Sequence, residues 1–105
     1  METFDIKYSE ESVLIVDDDP YLRETLEKLL EIIGISADST ANGQDALNKI
    51  REREYTILLT DMKMPGIGGM DLIKRVCTEY DIDIIFSTNS LYKIHPADSG
   101  HLHIG

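Results

Sequence analysis

Val13-Leu14-Ile15-Val16 runs straight into Asp17-Asp18-Asp19, and Ile57-Leu58-Leu59-Thr60 runs into Asp61 in the same way. Each is a short unbroken run of β-branched and aliphatic residues, the pattern of a strand buried on both faces in a parallel sheet. Both runs end in carboxylate. Parallel strands would therefore deliver the Asp side chains to one edge, the carboxyl ends of the strands, where ligands of open α/β sheets bind. Carboxylates gathered there repel one another unless a hard cation sits among them, and an all-oxygen donor set suits Mg²⁺. The triplet has a second reading as a solvated turn that caps the next helix, since Asp is a preferred N-cap and the helix dipole favours negative charge there. Asp61 weighs toward the metal, because a βαβαβ order can lay strands one and three side by side.

Working outward, Pro20 stands where a first helical turn tolerates proline, and Leu22, Leu26, Leu29, Leu30 and Ile33 recur at helical spacing. Gly34 closes that helix as a C-terminal cap would. Ile35 to Asp38 alternates like a short strand, and Asn42-Gly43 can start a second helix carrying Ala46, Leu47 and Ile50. Arg51-Glu52-Arg53-Glu54 is the solvated end of that helix. Residues 55–60 make strand three. After Pro65, Gly66, Gly68 and Gly69, the residues Met70, Ile73, Val76 and Cys77 keep helical spacing, and Ile82 to Phe86 makes strand four. The order βαβαβαβ predicts a parallel sheet with helices on both faces. From Ser87 onward no helical stripe is visible, and all three histidines, His95, His101 and His103, fall in this tail. A crossover takes at least ~10–12 residues and a strand about 5 more. A fifth strand thus fits only as a short one at His101 to Ile104, and a fifth helix has no sequence.

The bulk numbers bound the function. At 105 residues the chain is one small domain with a single core. Residues 1–12 read as a polar lead-in, 13–88 as the domain core and 89–105 as a divergent tail. Twenty acidic residues against ten basic ones give a net charge of −10, which argues against a nucleic-acid-binding surface. No apolar run approaches the ~20 residues that span a membrane, and Met1-Glu2-Thr3-Phe4-Asp5 lacks the basic and apolar regions of a signal peptide. A cytoplasmic location is expected. The one cysteine, Cys77, cannot form an internal disulfide and reads as a small core hydrophobe.

Three stretches together carry a resemblance: Val16-Asp17-Asp18-Asp19-Pro20, Ala41-Asn42-Gly43-Gln44-Asp45-Ala46-Leu47, and Leu58-Leu59-Thr60-Asp61-Met62-Lys63-Met64-Pro65-Gly66. From about Val13 to Thr88 the chain resembles the receiver domain of two-component response regulators. That resemblance implies a flavodoxin-like, doubly wound parallel sheet of strand order 2-1-3-4, from which the short tail after Thr88 departs, leaving strand five short or absent and the last helix missing. It implies that Asp61 accepts a phosphoryl group from the phosphohistidine of a sensor histidine kinase or phosphotransfer protein. It implies Mg²⁺ as cofactor, held by Asp17 and Asp18 with Asp61 and the backbone carbonyl of Lys63. Thr88 matches the switch hydroxyl that moves toward the phosphoryl group, and such a domain is a phosphoacceptor rather than an enzyme. The chemistry agrees, since phosphoryl transfer needs a carboxylate nucleophile in line and neutralised charge on the equatorial oxygens. The chain departs from the family at Gly68, where Asp is usual, at Thr56, where Asp is frequent, and at Asn89, where Ala or Gly is usual. No residue matches the lysine that pairs with the phosphoryl group, and Lys93 lies too close to Thr88 to take that role.

Other readings compete with this one. A pseudo-receiver would keep the fold as an interaction module without the switch. The missing helix would leave apolar sheet exposed, and a homodimer through the incomplete C-terminal region is expected on that ground. A Mg²⁺-dependent phosphohydrolase of the haloacid dehalogenase type would use Asp17 as nucleophile with Asp19 two residues on, but Tyr21 stands where such enzymes usually have Thr or Val. A metal at His95, His101 and His103 lacks a Cys or acidic partner at ligand spacing, so solvated tail histidines are the simpler reading. Without a basic helix-turn-helix segment, the chain by itself is not expected to bind DNA.

Overall fold

The computed structural model describes residues 10–62, 69–87 and 91–96, and the backbone of 103–104. The elements run β1 (Ser12–Val16), α1 (Pro20–Ile32), β2 (Ser36–Thr40), α2 (Gly43–Glu52), β3 (Ile57–Asp61), α3 (Gly69–Glu79), β4 (Asp83–Ser87), β5 (Leu91–Ile94) and β6 (His103–Ile104). They build one sheet in the order β2-β1-β3-β4-β5-β6. The first four strands are parallel, with Val16 opposite Thr40 on one side and Thr60 on the other, and Asp61 opposite Ser87. The expected order 2-1-3-4 is the order observed. Strand bounds differ from the sequence reading by one or two residues, as at β2, which reaches Thr40 rather than Asp38.

Local chemistry sets the helix ends. Asp19 is the N-cap of α1, its carboxylate accepting the N–H groups of Tyr21 and Leu22, with Pro20 supplying the fixed φ of the first turn. At the other end Gly34 sits at φ +88°. Its N–H donates to the carbonyl of Glu31, and that of Ile35 to Leu30, the paired bonds of a Schellman stop that favours glycine. Asn42 caps α2 by accepting the N–H of Asp45 at 2.8 Å.

The core lies on one face of the sheet. Leu14, Val16, Leu58, Ile84 and Phe86 point there and meet Ala46, Leu47 and Ile50 of α2 and Leu72, Ile73 and Val76 of α3. Side chains alternate along a strand, so Val13, Ile15, Leu59 and Ile85 point to the other face. Among the described residues only α1 covers that face, and it covers part of it. No residue of α1 is fully buried. Leu22 is 40% exposed, Leu29 53%, Ile33 47% and Ile32 74%. The apolar stripe expected on this helix is present, but only one side of it meets the sheet.

The end of the sheet departs from the sequence reading. The fifth strand is not at His101–Ile104 but at Leu91–Ile94, and it runs antiparallel to β4, with Phe86 opposite Tyr92. His103–Ile104 follows as a sixth strand, antiparallel to β5. The reason is length. Three residues separate Ser87 from Leu91, enough for a hairpin connection and far too few for the crossover that a parallel neighbour needs. Stacking of Tyr92 on Phe86, with centroids 5.3 Å apart and planes 17° from parallel, ties β5 to its neighbour. His95 adds a second tie, its Nδ1 lying 2.9 Å from Asp83 and its Nε2 3.5 Å from Asp81.

Candidate functional site

The site forms where β1 and β3 end side by side. Buried apolar residues fix both strands in the sheet, and the register that sets Val16 against Thr60 brings the next residues, Asp17 and Asp61, to the same edge. Carboxylate oxygens of Asp17, Asp18 and Asp61 all lie within 4.8 Å of one another. Asp17 is buried, Asp61 half-buried and Asp18 exposed, so the cluster opens to solvent on one side.

The Asp triplet divides its work. Asp19 turns outward as the cap of α1, whereas Asp17 and Asp18 turn toward Asp61. The capping reading of the triplet therefore holds for Asp19, while Asp17 and Asp18 join Asp61 in the acidic cluster. The backbone reinforces this arrangement. Asp17 Oδ1 accepts the N–H of Asp19 at 2.9 Å, and the Asp17 carbonyl accepts Nη1 of Arg23 at 2.8 Å. The Asp17 N–H donates to the carbonyl of Thr40 at 3.1 Å, which extends the β1–β2 ladder to the site.

Asp61 is held from the other side. The N–H of Met62 donates to the carbonyl of Ser87 at 3.2 Å, so the β3–β4 ladder continues past the carboxylate. Thr60 is buried and its hydroxyl donates to the Asp61 carbonyl at 3.1 Å. The first residue of α3, Gly69, packs directly on this backbone: a β-carbon there would stand 2.5 Å from Met62 Cα. Arg23, Thr60, Ser87 and Gly69 were not singled out as site residues from the sequence. Only the strand register and the backbone contact bring them in, although Gly69 as the last of three glycines before a helix was a visible signal. Lys63 and Thr88, two of the expected site residues, lie outside the described residues.

Burial pushes the Asp17 carboxyl above the usual carboxylate range. The hydrogen bond from the Asp19 N–H opposes that shift, and the carboxylates of Asp61, Asp18 and Asp19 add to it. Three hard oxygen donors this close, one of them costly to ionise alone, fit a small divalent cation such as Mg²⁺.

Comparison with known proteins places this geometry. The family model for the response regulator receiver domain matches residues 13–97. The chain belongs to the response regulator receiver family. Among curated relatives of this receiver, the CpxR homolog of Haemophilus influenzae, a transcriptional regulatory protein, is 34% identical over 76 residues, covering 72% of the chain and 33% of that protein. The sensor protein EvgS of Escherichia coli K12 is 35% identical over 65 residues, covering 62% of the chain and 5% of that protein. The receiver thus spans a third or less of these relatives. Among solved structures, the response regulator TrrA of Thermotoga maritima in complex with Mg²⁺-BeF superposes with a TM-score of 0.69 at 32% identity, covering 75% of the chain and 71% of TrrA. A complex of the histidine kinase ThkA with TrrA gives a TM-score of 0.71 at 33% identity, covering 76% of the chain and 70% of the neighbour. The expected family and CheY-like fold are therefore those observed. No helix among the described residues is long and apolar enough to cross a membrane.

Proposed function

We propose that this receiver accepts a phosphoryl group on Asp61 from the phosphohistidine of a sensor histidine kinase or phosphotransfer protein. The P–N bond to the donor imidazole breaks as a P–O bond to Asp61 forms, giving an acyl phosphate. The observation that carries this reading is the assembly of Asp17, Asp18 and Asp61 within 4.8 Å at the carboxyl edge of β1 and β3. Asp17 and Asp18 would hold Mg²⁺ together with Asp61 and the backbone carbonyl of Lys63. When bound, the cation offsets charge on the transferring phosphoryl oxygens. Thr88 is assigned as the hydroxyl that answers the phosphoryl group. Within the chain, the bond from the Asp19 N–H orients Asp17, and the Met62 N–H to Ser87 bond fixes the backbone that presents Asp61.

Two likenesses support the cofactor and the partner: TrrA is described with Mg²⁺-BeF in one structure and with the kinase ThkA in another. The domain is read as a signalling phosphoacceptor, with its own phosphorylation and dephosphorylation as its only chemistry. A pseudo-receiver reading is not favoured, because the acidic trio is assembled. Incubation with Mg²⁺ and acetyl phosphate, followed by intact-mass measurement, tests the proposal. One phosphoryl group should be gained in Mg²⁺, little in EDTA, and none in Asp61→Asn. Equal gain by Asp61→Asn would reject it.

A further inference from the structure

Successive side chains of an extended strand point to opposite faces. A strand that simply ran on past Val16 would therefore send only one of Asp17 and Asp18 toward Asp61, yet both reach it. The chain leaves the strand conformation here, and the peptide that joins Asp17 to Asp18 has to be held in its new direction. Three contacts hold Asp17. Its N–H donates to the Thr40 carbonyl at 3.1 Å, its Oδ1 accepts the Asp19 N–H at 2.9 Å, and its carbonyl accepts Nη1 of Arg23 at 2.8 Å. Of these, the bond from Arg23 is the one that acts on the peptide between the two neighbouring carboxylates.

The place of Arg23 in the helix suits that task. It stands at the end of the first turn of α1, its own N–H donating to the Asp19 carbonyl at 3.0 Å. Helical side chains lean toward the N-terminus, so this one reaches back to the end of β1. A cation at the positive end of a helix dipole is disfavoured. The charge-assisted bond to the Asp17 carbonyl offsets that cost, and the half-buried guanidinium lies against the turn that carries the acidic pair.

We infer that Arg23 is a positioning residue of the cation site, raising its affinity by holding the Asp17–Asp18 peptide so that both side chains face Asp61. This role rests on the reading of the trio as a Mg²⁺ site. Two effects of opposite sign meet at Arg23. Its charge repels a divalent cation nearby, whereas the fixed peptide saves the ordering of two ligands. Removing groups that orient metal ligands costs roughly 10–100-fold in affinity, while one charge that water partly screens changes it only by a factor of a few. Positioning therefore wins, and loss of the guanidinium weakens the site.

Mg²⁺ titration of the unphosphorylated full chain, followed by amide chemical shifts with no phosphodonor present, is the test. Arg23→Met keeps the aliphatic stem and removes the guanidinium. Should it fail to give a native circular dichroism spectrum, Arg23→Gln, too short to make the same contact, takes its place. Before Mg²⁺ is added, the Asp18 amide nitrogen, part of the same peptide as the accepting carbonyl, should shift in the variant. The Mg²⁺ Kd should then rise about tenfold. A merely structural role would lower the metal-free Tm and leave that Kd as it is. Unchanged or tighter Mg²⁺ binding, or an Asp18 amide that stays in place, would overturn the inference. Asp18→Asn separates it from the reading of the site: wild type that takes no Mg²⁺, or Asp18→Asn that binds it equally well, rejects the cation site and the role of Arg23 with it. Weakened binding by Asp18→Asn beside full affinity in Arg23→Met rejects the role of Arg23 alone.

Discussion

A β-carbon added at Gly69 would stand 2.6 Å from the carbonyl oxygen of Asp61 and 2.5 Å from Met62 Cα. The first turn of α3 thus touches the backbone that presents the carboxylate, and both contact atoms belong to main chain that cannot swing aside.

Gly69→Ala is therefore predicted to destabilise the domain by about 1–3 kcal/mol, the range for overpacking a tight contact. The strain falls on β3 at Asp61, so the rate of phosphoryl gain should drop by more than the loss of folded protein explains. Urea unfolding together with phosphorylation under conditions where the variant stays folded checks both parts.

Asp17 lies in conflict with its own surroundings. Its carboxyl is raised above the usual range, chiefly by burial. Its folded form thus binds a proton more tightly than its unfolded form, and the stability this gives is complete only below the unfolded value, near pH 3.8, and is lost as pH rises through the folded pKa. At neutral pH the ionised group is a liability. Asp17→Asn keeps an oxygen to accept the Asp19 N–H and should gain on the order of 1 kcal/mol at pH 7, about 4–8 °C in Tm for a domain of this size. The cost should appear in metal binding. Saturating Mg²⁺ at a hundred times its Kd should stabilise wild type by about 2.7 kcal/mol, whereas Asp17→Asn should need far more Mg²⁺ for the same gain. Thermal melts across pH and Mg²⁺ concentration measure both.

Away from the site, Tyr55 is buried and donates its hydroxyl to Asp38 at 2.6 Å, while Arg53 holds the same carboxylate at 2.8 Å. Burial, then the bond to Asp38, pushes the phenol up to about 12 from an ordinary 10.0. The stability that follows is complete below pH 10 and lost as pH rises toward 12. Tyr55→Phe should cost about 1.5 kcal/mol at pH 7. The gap between variant and wild type should close in strongly alkaline solution, which unfolding measured at several pH values would show.

Much of this was legible in the sequence, for reasons that attach to particular residues. Val13 to Val16 and Ile57 to Leu59 announce buried strands because no polar residue interrupts them, and the sheet does place them side by side. Asp19, Asn42 and Gly34 announce helix ends because capping is local chemistry, and each performs that role. The clustering of Asp17, Asp18 and Asp61 follows from the strand pattern once β1 and β3 are neighbours.

What was not legible depends on partners distant in sequence. Leu91 to Ile94 joins the sheet because Tyr92 finds Phe86 and His95 finds Asp81 and Asp83, and a four-residue segment carries too little periodicity to announce that. The half-bare flank of α1 was equally hidden. Leu22, Leu29 and Ile33 read as an ordinary buried stripe, and spacing alone does not say how much of a stripe the sheet can reach.

The function proposed for this receiver turns on which carboxylate carries the phosphoryl group. After incubation with acetyl phosphate and Mg²⁺, borohydride reduces an aspartyl phosphate to homoserine, and peptide mass spectrometry then locates that residue. Homoserine is expected at position 61 alone, and absent when Mg²⁺ is withheld. Homoserine at position 17 with Asp61 intact would contradict it, and would move the nucleophile to the first acidic strand.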